Sequence, residues 1–257
     1  MPSSNVVWTI DGPVGTLTFN RPQARNALTW DMYEALTDAC EEVDTNPDLR
    51  VLIVRGSAGA FAAGTDIAQF RGFAAGEDGI AYERRLDAVI DRLERVIRPT
   101  IAAVDGPAVG GGCAIALACD LRVCTPRARF GVPVSRTLGN CLSAANMARL
   151  VDLIGTARVK DLLITGRLLD ADEASTLGLV NRIVSEETLD ADVRSFALEL
   201  TRRATSTIAA TKALLHRIRD HRRPPPADDV IAACYGSEQF REGVRAFLEG
   251  RTPRWGE

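Results

Sequence analysis

Three consecutive glycines, Gly110-Gly111-Gly112, open directly onto an apolar stretch running from Cys113 to Cys119. Glycines ahead of a helix expose backbone N–H groups that no side chain shields, and the helix dipole makes those donors attractive to negative charge. One anion held by such turns is a phosphate, but the stretch has neither G-x-x-x-x-G-K-[ST] nor a strand-linked G-x-G-x-x-G. Another is an oxygen that turns negative as an enolate forms, gripped in an oxyanion hole whose apolar surroundings lower the dielectric. Close packing of strand, turn and helix uses glycines in the same way. A second turn, Ala60-Phe61-Ala62-Ala63-Gly64-Thr65-Asp66-Ile67, follows the apolar run at 51–54 as the triplet follows the run at 100–104. Two turns at the same end of neighbouring strands can each offer one N–H to a common oxygen. Asp66 also suits the cap of a helix beginning there.

Other chemistries have less support. The two histidines, His216 and His221, both fall in a late, polar, basic stretch, which suits neither a zinc site nor a Ser-His-Asp arrangement. The six cysteines (Cys40, Cys113, Cys119, Cys124, Cys141 and Cys234) contain no C-x-x-C pair, so buried thiols are expected, with no metal or disulfide role. A formal net charge of −3 gives no reason to expect nucleic acid as a partner. Met1 to Asn5 lack a basic segment followed by an apolar one, and apolar runs stop short of the ~18 residues needed to span a bilayer. A cytoplasmic protein without membrane association is expected.

The elements that must position these turns follow from periodicity. Val6 to Ile10 and Thr16 to Phe19 alternate around Asp11–Gly15 as a β-hairpin. A helical pattern opens at Asn26 and runs to Cys40, and a buried strand occupies 51–56. A helix is expected over 80–97, ending before Pro99, then strands at 100–104 and 121–124 flanking the helix after the triplet. Further helices are expected at 143–154, 156–164, 171–177, 187–204, 206–218 and 227–249, with a short strand near 179–184. The run Arg222-Arg223-Pro224-Pro225-Pro226 breaks the helical stretch as a turn. Strands alternating with helices, then helices alone, imply an α/β body over 1–186 with a helical region over 187–257.

Five segments, in order, carry a resemblance that covers nearly the whole chain. They are Asn20-Arg21-Pro22-Gln23-Ala24-Arg25-Asn26-Ala27-Leu28, the Ala62–Ile67 turn, Pro99 to Cys113, Phe130-Gly131-Val132-Pro133, and Glu242 to Pro253. With these the sequence resembles the crotonase (enoyl-CoA hydratase/isomerase) superfamily. The resemblance implies an α/β fold, a crotonase-like spiral of ββα turns with a C-terminal helical trimerisation region, assembled as a homotrimer or homohexamer. It implies a coenzyme A thioester as substrate, with no tightly bound cofactor and no metal. By position, the oxyanion-hole N–H groups fall on Thr65 and Gly111, and the CoA-binding positions on Ala24, Arg25, Ala63, Gly64 and Asp66. Lys212 and Phe247 lie where similar proteins approach a neighbouring subunit's CoA; a surface lysine and a core aromatic are the plainer expectation.

The resemblance also exposes departures. Hydratases of this family use two glutamates, and those positions here hold Ala114 and Val134, neither of which carries a proton. Asp120 matches an acid common in the family and suits a structural hydrogen-bonding role. The segment Ser135 to Ser143 replaces a glycine-rich turn expected to line the acyl pocket, which makes Arg136, Asn140, Cys141 and Ser143 candidate substrate contacts. Arg136 suits a carboxylate on the acyl group, or else a solvated or intrachain pair; Cys141 suits a nucleophile, or else a pocket wall. Tyr82, Glu83, Arg84, Arg85 and Asp87 are candidates to stand in for the missing acids. An acyl-CoA-processing lyase or isomerase that stabilises a thioester enolate is therefore expected, with standard hydration not expected. Decarboxylation or hydrolysis of an unusual acyl-CoA, or acyl-CoA binding without catalysis, are the alternatives.

Overall fold

The computed structural model describes residues 5–222 and 224–255. The leader reading at Met1–Ser4 and Arg223 of the arginine–proline run lie outside the described residues.

The N-terminal hairpin joins β1 (Val6–Asp11) to β2 (Val14–Phe19) through Gly12-Pro13, a tighter turn than the sequence suggests. Helix α1 (Trp30–Thr45) begins later than its apolar pattern because Arg25 and Asn26 are left-handed, at φ 49° and 58°. The Asn26 amide donates to the carbonyls of Ser57 and Ala60, which ties this turn to the one after β3 (Val51–Gly56). Helix α2 (Gly76–Glu94) starts four residues earlier than expected, because the Asp78 carboxylate accepts from the amides of Ala74 and Ala75.

Strands β4 (Thr100–Val104) and β5 (Pro107–Val109) precede α3 (Gly111–Ala118), and β6 (Leu121–Cys124) and β7 (Arg129–Gly131) follow it. The chain continues through the short α4 (Val134–Thr137), α5 (Ala144–Ile154), α6 (Thr156–Thr165), β8 (Leu169–Asp170), α7 (Ala171–Thr176) and β9 (Arg182–Ile183). Four helices end it: α8 (Leu189–Thr201), α9 (Thr205–His221), α10 (Asp228–Tyr235) and α11 (Glu238–Leu248). The single helix expected at 227–249 is broken at Gly236. There a β-carbon would lie 2.8 Å from the Ala232 carbonyl oxygen, and the Ser237 hydroxyl caps α11 by accepting from the Phe240 amide.

Two sheets result. The larger has the order β1-β2-β3-β4-β6-β9, parallel except for the hairpin, and the smaller has the order β5-β7-β8. The continuous apolar run of β3 is explained by burial on both faces. Leu52 and Val54 join the main core with Met32, Leu36 and Val43 of α1, while Val51 and Ile53 meet Val193, Phe196 and Ala197 of α8. The carboxyl ends of β3 and β4 thus emerge side by side, each feeding a turn. Among the described residues, no helix is long and apolar enough to cross a membrane.

Candidate active site

A cavity of about 680 Å³ opens at those two turns. The turns interlock: Ala62 pairs with Ala108, the Val109 amide donates to the Ala62 carbonyl, and Gly64 packs on Gly110. Gly110 has φ +55°, and a β-carbon on Gly112 would lie 2.4 Å from the Ala62 carbonyl oxygen, so both positions exclude larger residues. Thr65 and Gly111 face one another across this contact; a β-carbon on Gly111 would come within 3.2 Å of Thr65 Oγ1 and 2.2 Å of Tyr33 Oη. Among the described residues, neither the Thr65 amide nor the Gly111 amide donates to a protein acceptor. Two free donors in an apolar cavity, one of them at the N-terminus of α3, suit an oxygen carrying negative charge.

Side-chain hydroxyls fix this corner. Thr65 Oγ1 lies 2.8 Å from Tyr33 Oη and 2.6 Å from Tyr82 Oη, and both rings are buried. Burial holds both phenols above their ordinary range, and the neighbouring Glu83 carboxylate adds to the effect.

Glu83 lines the same cavity at 3% exposure. Its Oε1 accepts from Tyr235 Oη at 2.6 Å and its Oε2 from the Ser143 amide at 3.0 Å. Those two bonds favour the charged form, but burial outweighs them and pushes the carboxyl up to about 7. Tyr235 reaches Glu83 because α2 carries glycines where α10 crosses it. A β-carbon at Gly76 would strike the Ala232 backbone, and one at Gly79 the Tyr235 ring.

The structure gathers most of the sequence candidates here. Ala24, Arg25, Ala63, Gly64, Thr65, Asp66, Gly111, Asn140 and Cys141 all line the cavity, with Tyr82, Glu83, Ala114, Val134 and Phe247. Asp66 is already occupied, pairing with Arg21 at 2.7 Å and capping the 3-10 turn at Ile67–Phe70. Arg136, expected in the acyl pocket, is absent from the cavity lining: it is exposed on α4, two residues on from Val134 and so on the other side of the helix, and packs beside Gly166. Ser143 is likewise outside the lining, capping α5 and donating to Asp87. Arg84 and Arg85 pair with Asp228 and Glu34 on the surface. Asp120 accepts from Thr100 and Lys212, a buried brace that occupies the lysine's ammonium. The hydrogen bond between the Cys141 and Cys234 thiols, together with burial, holds Cys141 well above the ordinary thiol range; this is the opposite of an activated nucleophile.

Tyr33, Tyr235, Asn146 and Arg149 were not among the candidates. Tyr33 sits at an ordinary core spacing of α1, and Tyr235 lies 152 residues from the carboxylate it contacts. Nothing in their local sequence distinguishes them from packing residues. Among the described residues, no three His, Cys, Asp or Glu side chains assemble as metal ligands.

The family model described as enoyl-CoA hydratase/isomerase matches residues 9–257. A Mycobacterium bovis protein described as a probable enoyl-CoA hydratase is 35% identical over 254 residues, with 95% of each chain covered. A crotonyl-CoA hydratase of Syntrophomonas wolfei is 33% identical over 257 residues, covering 98% of this chain and 97% of that one. Among solved structures, a methylmalonyl-CoA decarboxylase in complex with 2-nitronate-propionyl-CoA superposes with a TM-score of 0.88, at 25% identity and 99% coverage of both chains.

Proposed function

This chain belongs to the enoyl-CoA hydratase/isomerase family and processes acyl-CoA, and from that premise we propose that it moves a proton to and from the α-carbon of a thioester enolate. The Thr65 and Gly111 amides hold the thioester oxygen, and Glu83 carries the proton. The rim formed by Ala24, Arg25, Ala63, Gly64 and Asp66 takes the coenzyme.

The single observation behind this reading is the state of Glu83. Two carboxyls line the cavity, and the other, Asp66, is committed to Arg21. Glu83 has no ion pair among the described residues. A carboxyl held near 7 is present in both protonation states at neutral pH, which suits a group that must accept a proton and return it. The other wall residues nearest the triplet and α4, Ala114 and Val134, offer no second group to activate water. One proton carrier suits migration of a double bond, in which the proton leaves one carbon and returns to another, more than addition of water.

Likeness to the methylmalonyl-CoA decarboxylase supports a second reading. Loss of CO₂ from a 2-carboxyacyl-CoA leaves the same enolate, to which protonated Glu83 would deliver its proton. Three assays separate these outcomes: deuterium exchange at the α-carbon of butyryl-CoA by mass spectrometry, conversion of 3-hexenoyl-CoA to 2-hexenoyl-CoA, and CO₂ release from methylmalonyl-CoA. Exchange and isomerisation that both depend on Glu83 are expected. Rapid hydration of crotonyl-CoA that survives Glu83→Gln would overturn the assignment, and binding without any turnover would leave an acyl-CoA-binding protein.

A further inference from the structure

We propose that Thr65 offers the enolate oxygen its side-chain hydroxyl as well as its amide, and that Tyr33 and Tyr82 are positioning residues that hold and polarise that hydroxyl. The proposal rests on the enolate reading above.

It follows from counting hydrogens. The hydroxyls of Tyr33, Thr65 and Tyr82 carry one hydrogen each, and two hydrogen bonds join them, both to Thr65 Oγ1. One hydrogen is therefore left over. It is not on Tyr33, which is fully buried, lies outside the cavity lining and has no other hydroxyl partner among the described residues. An unused buried donor there would forfeit its solvation with no return. Tyr33 thus donates to Thr65, and the spare hydrogen belongs to Tyr82 or Thr65, both of which line the cavity.

Acidity decides between them. A phenol is a stronger donor than an aliphatic alcohol, and the alcohol oxygen is the stronger acceptor. Tyr82 therefore donates as well, and Thr65 Oγ1, accepting two hydrogen bonds, keeps its own hydrogen free. Accepting two bonds polarises the remaining O–H and strengthens it as a donor. Burial and the nearby Glu83 carboxylate keep both phenols protonated, so they remain donors. The free hydroxyl belongs to one of the two residues whose amides are open and lies next to the other, 3.2 Å from where a β-carbon on Gly111 would sit. Charge developing on an oxygen at this corner meets three donors instead of two.

The test uses Thr65→Val and Thr65→Ala, which keep the amide and remove the hydroxyl, with Thr65→Ser as the conservative rescue. Whichever of the first two folds, by its melting curve, is expected to lose on the order of 10²-fold in α-deuterium exchange of butyryl-CoA. Its affinity for 2-nitronate-propionyl-CoA, an enolate mimic, should fall by the same factor, while calorimetric affinity for butyryl-CoA holds. Thr65→Ser should recover most of the loss. Exchange at the wild-type rate without the hydroxyl, or equal weakening of mimic and ground-state ligand, would sink the proposal and leave Thr65 a packing residue. A wild-type protein that neither binds nor exchanges butyryl-CoA would instead defeat the underlying enolate reading.

Discussion

The two ends of α3, a helix of only eight residues, are treated in opposite ways. At the carboxyl end, the buried Arg122 guanidinium donates to the carbonyls of Ala116, Leu117, Cys119 and Asp120, while its Nε reaches Leu179. A positive charge there also suits the negative end of the helix dipole. At the amino end, among the described residues, the Gly111 amide has no protein acceptor and opens on the cavity. Helices leave unsatisfied groups at both ends. Here the fold satisfies the end that faces packed chain and leaves open the end that faces space for a ligand.

That contrast sets what substitutions should do. Glu83 lines the cavity onto which that open end gives, and Glu83→Gln is expected to slow α-deuterium exchange by on the order of 10²–10⁴-fold with little change in ligand affinity. In the wild type, exchange should decline as pH falls below about 7, because the base must be ionised.

The same group links stability to pH. Its carboxyl titrates near 7 when folded and near 4.5 ordinarily, so between those values the folded state holds a proton that the unfolded state has lost. Stability contributed by the protonated form is complete below about 4.5 and is lost as pH rises to about 7, by on the order of 3 kcal/mol. Urea melts of Glu83→Gln across this window should lack that decline.

Gly111→Ala would press a β-carbon onto the Tyr33 hydroxyl and disturb the open end directly. A loss on the order of 10²–10³-fold in exchange is expected, with destabilisation of only about 1–3 kcal/mol. Arg122→Ala should show the reverse. Stripping the closed end orphans several buried carbonyls and should cost about 3 kcal/mol in urea unfolding, with kcat per folded molecule retained. If both variants lost activity and stability in parallel, the division of labour between the two ends would be wrong.

Tyr235→Phe removes a hydrogen bond that favours ionised Glu83, so the acidic limb of the exchange profile should move to higher pH. Arg136→Ala, outside the cavity, should leave turnover unaltered and stability within about 0.5 kcal/mol.

Arg136 and Glu83 show how far local sequence reaches. Both were candidates from segments expected to border the acyl pocket, yet one faces solvent and the other the cavity. The difference is one of rotation on a helix, set by the contacts of α4 with α6 and of α2 with α10. Asn140 and Cys141, in the loop after α4, line the cavity. Apolar periodicity continues through Gly236, but the helix expected at 227–249 breaks there because the Ser237 hydroxyl caps a new helix.

What the sequence determined by itself is what repeats locally or depends on residue type. Alternation made the hairpin, unbroken apolar runs made the central strands, and glycines before an apolar helix marked the open amides. The absence of acids at Ala114 and Val134 was equally a matter of residue type. Only the tertiary structure decided which carboxyl enters the cavity without a cation and which tyrosines bond to it and to Thr65. Tyr33 and Thr65 are 32 residues apart, and Glu83 and Tyr235 are 152 apart. Desolvation and hydrogen bonding act through space over a few ångströms, so a group's protonation is a property of its neighbours, and the packing of distant segments chooses those neighbours.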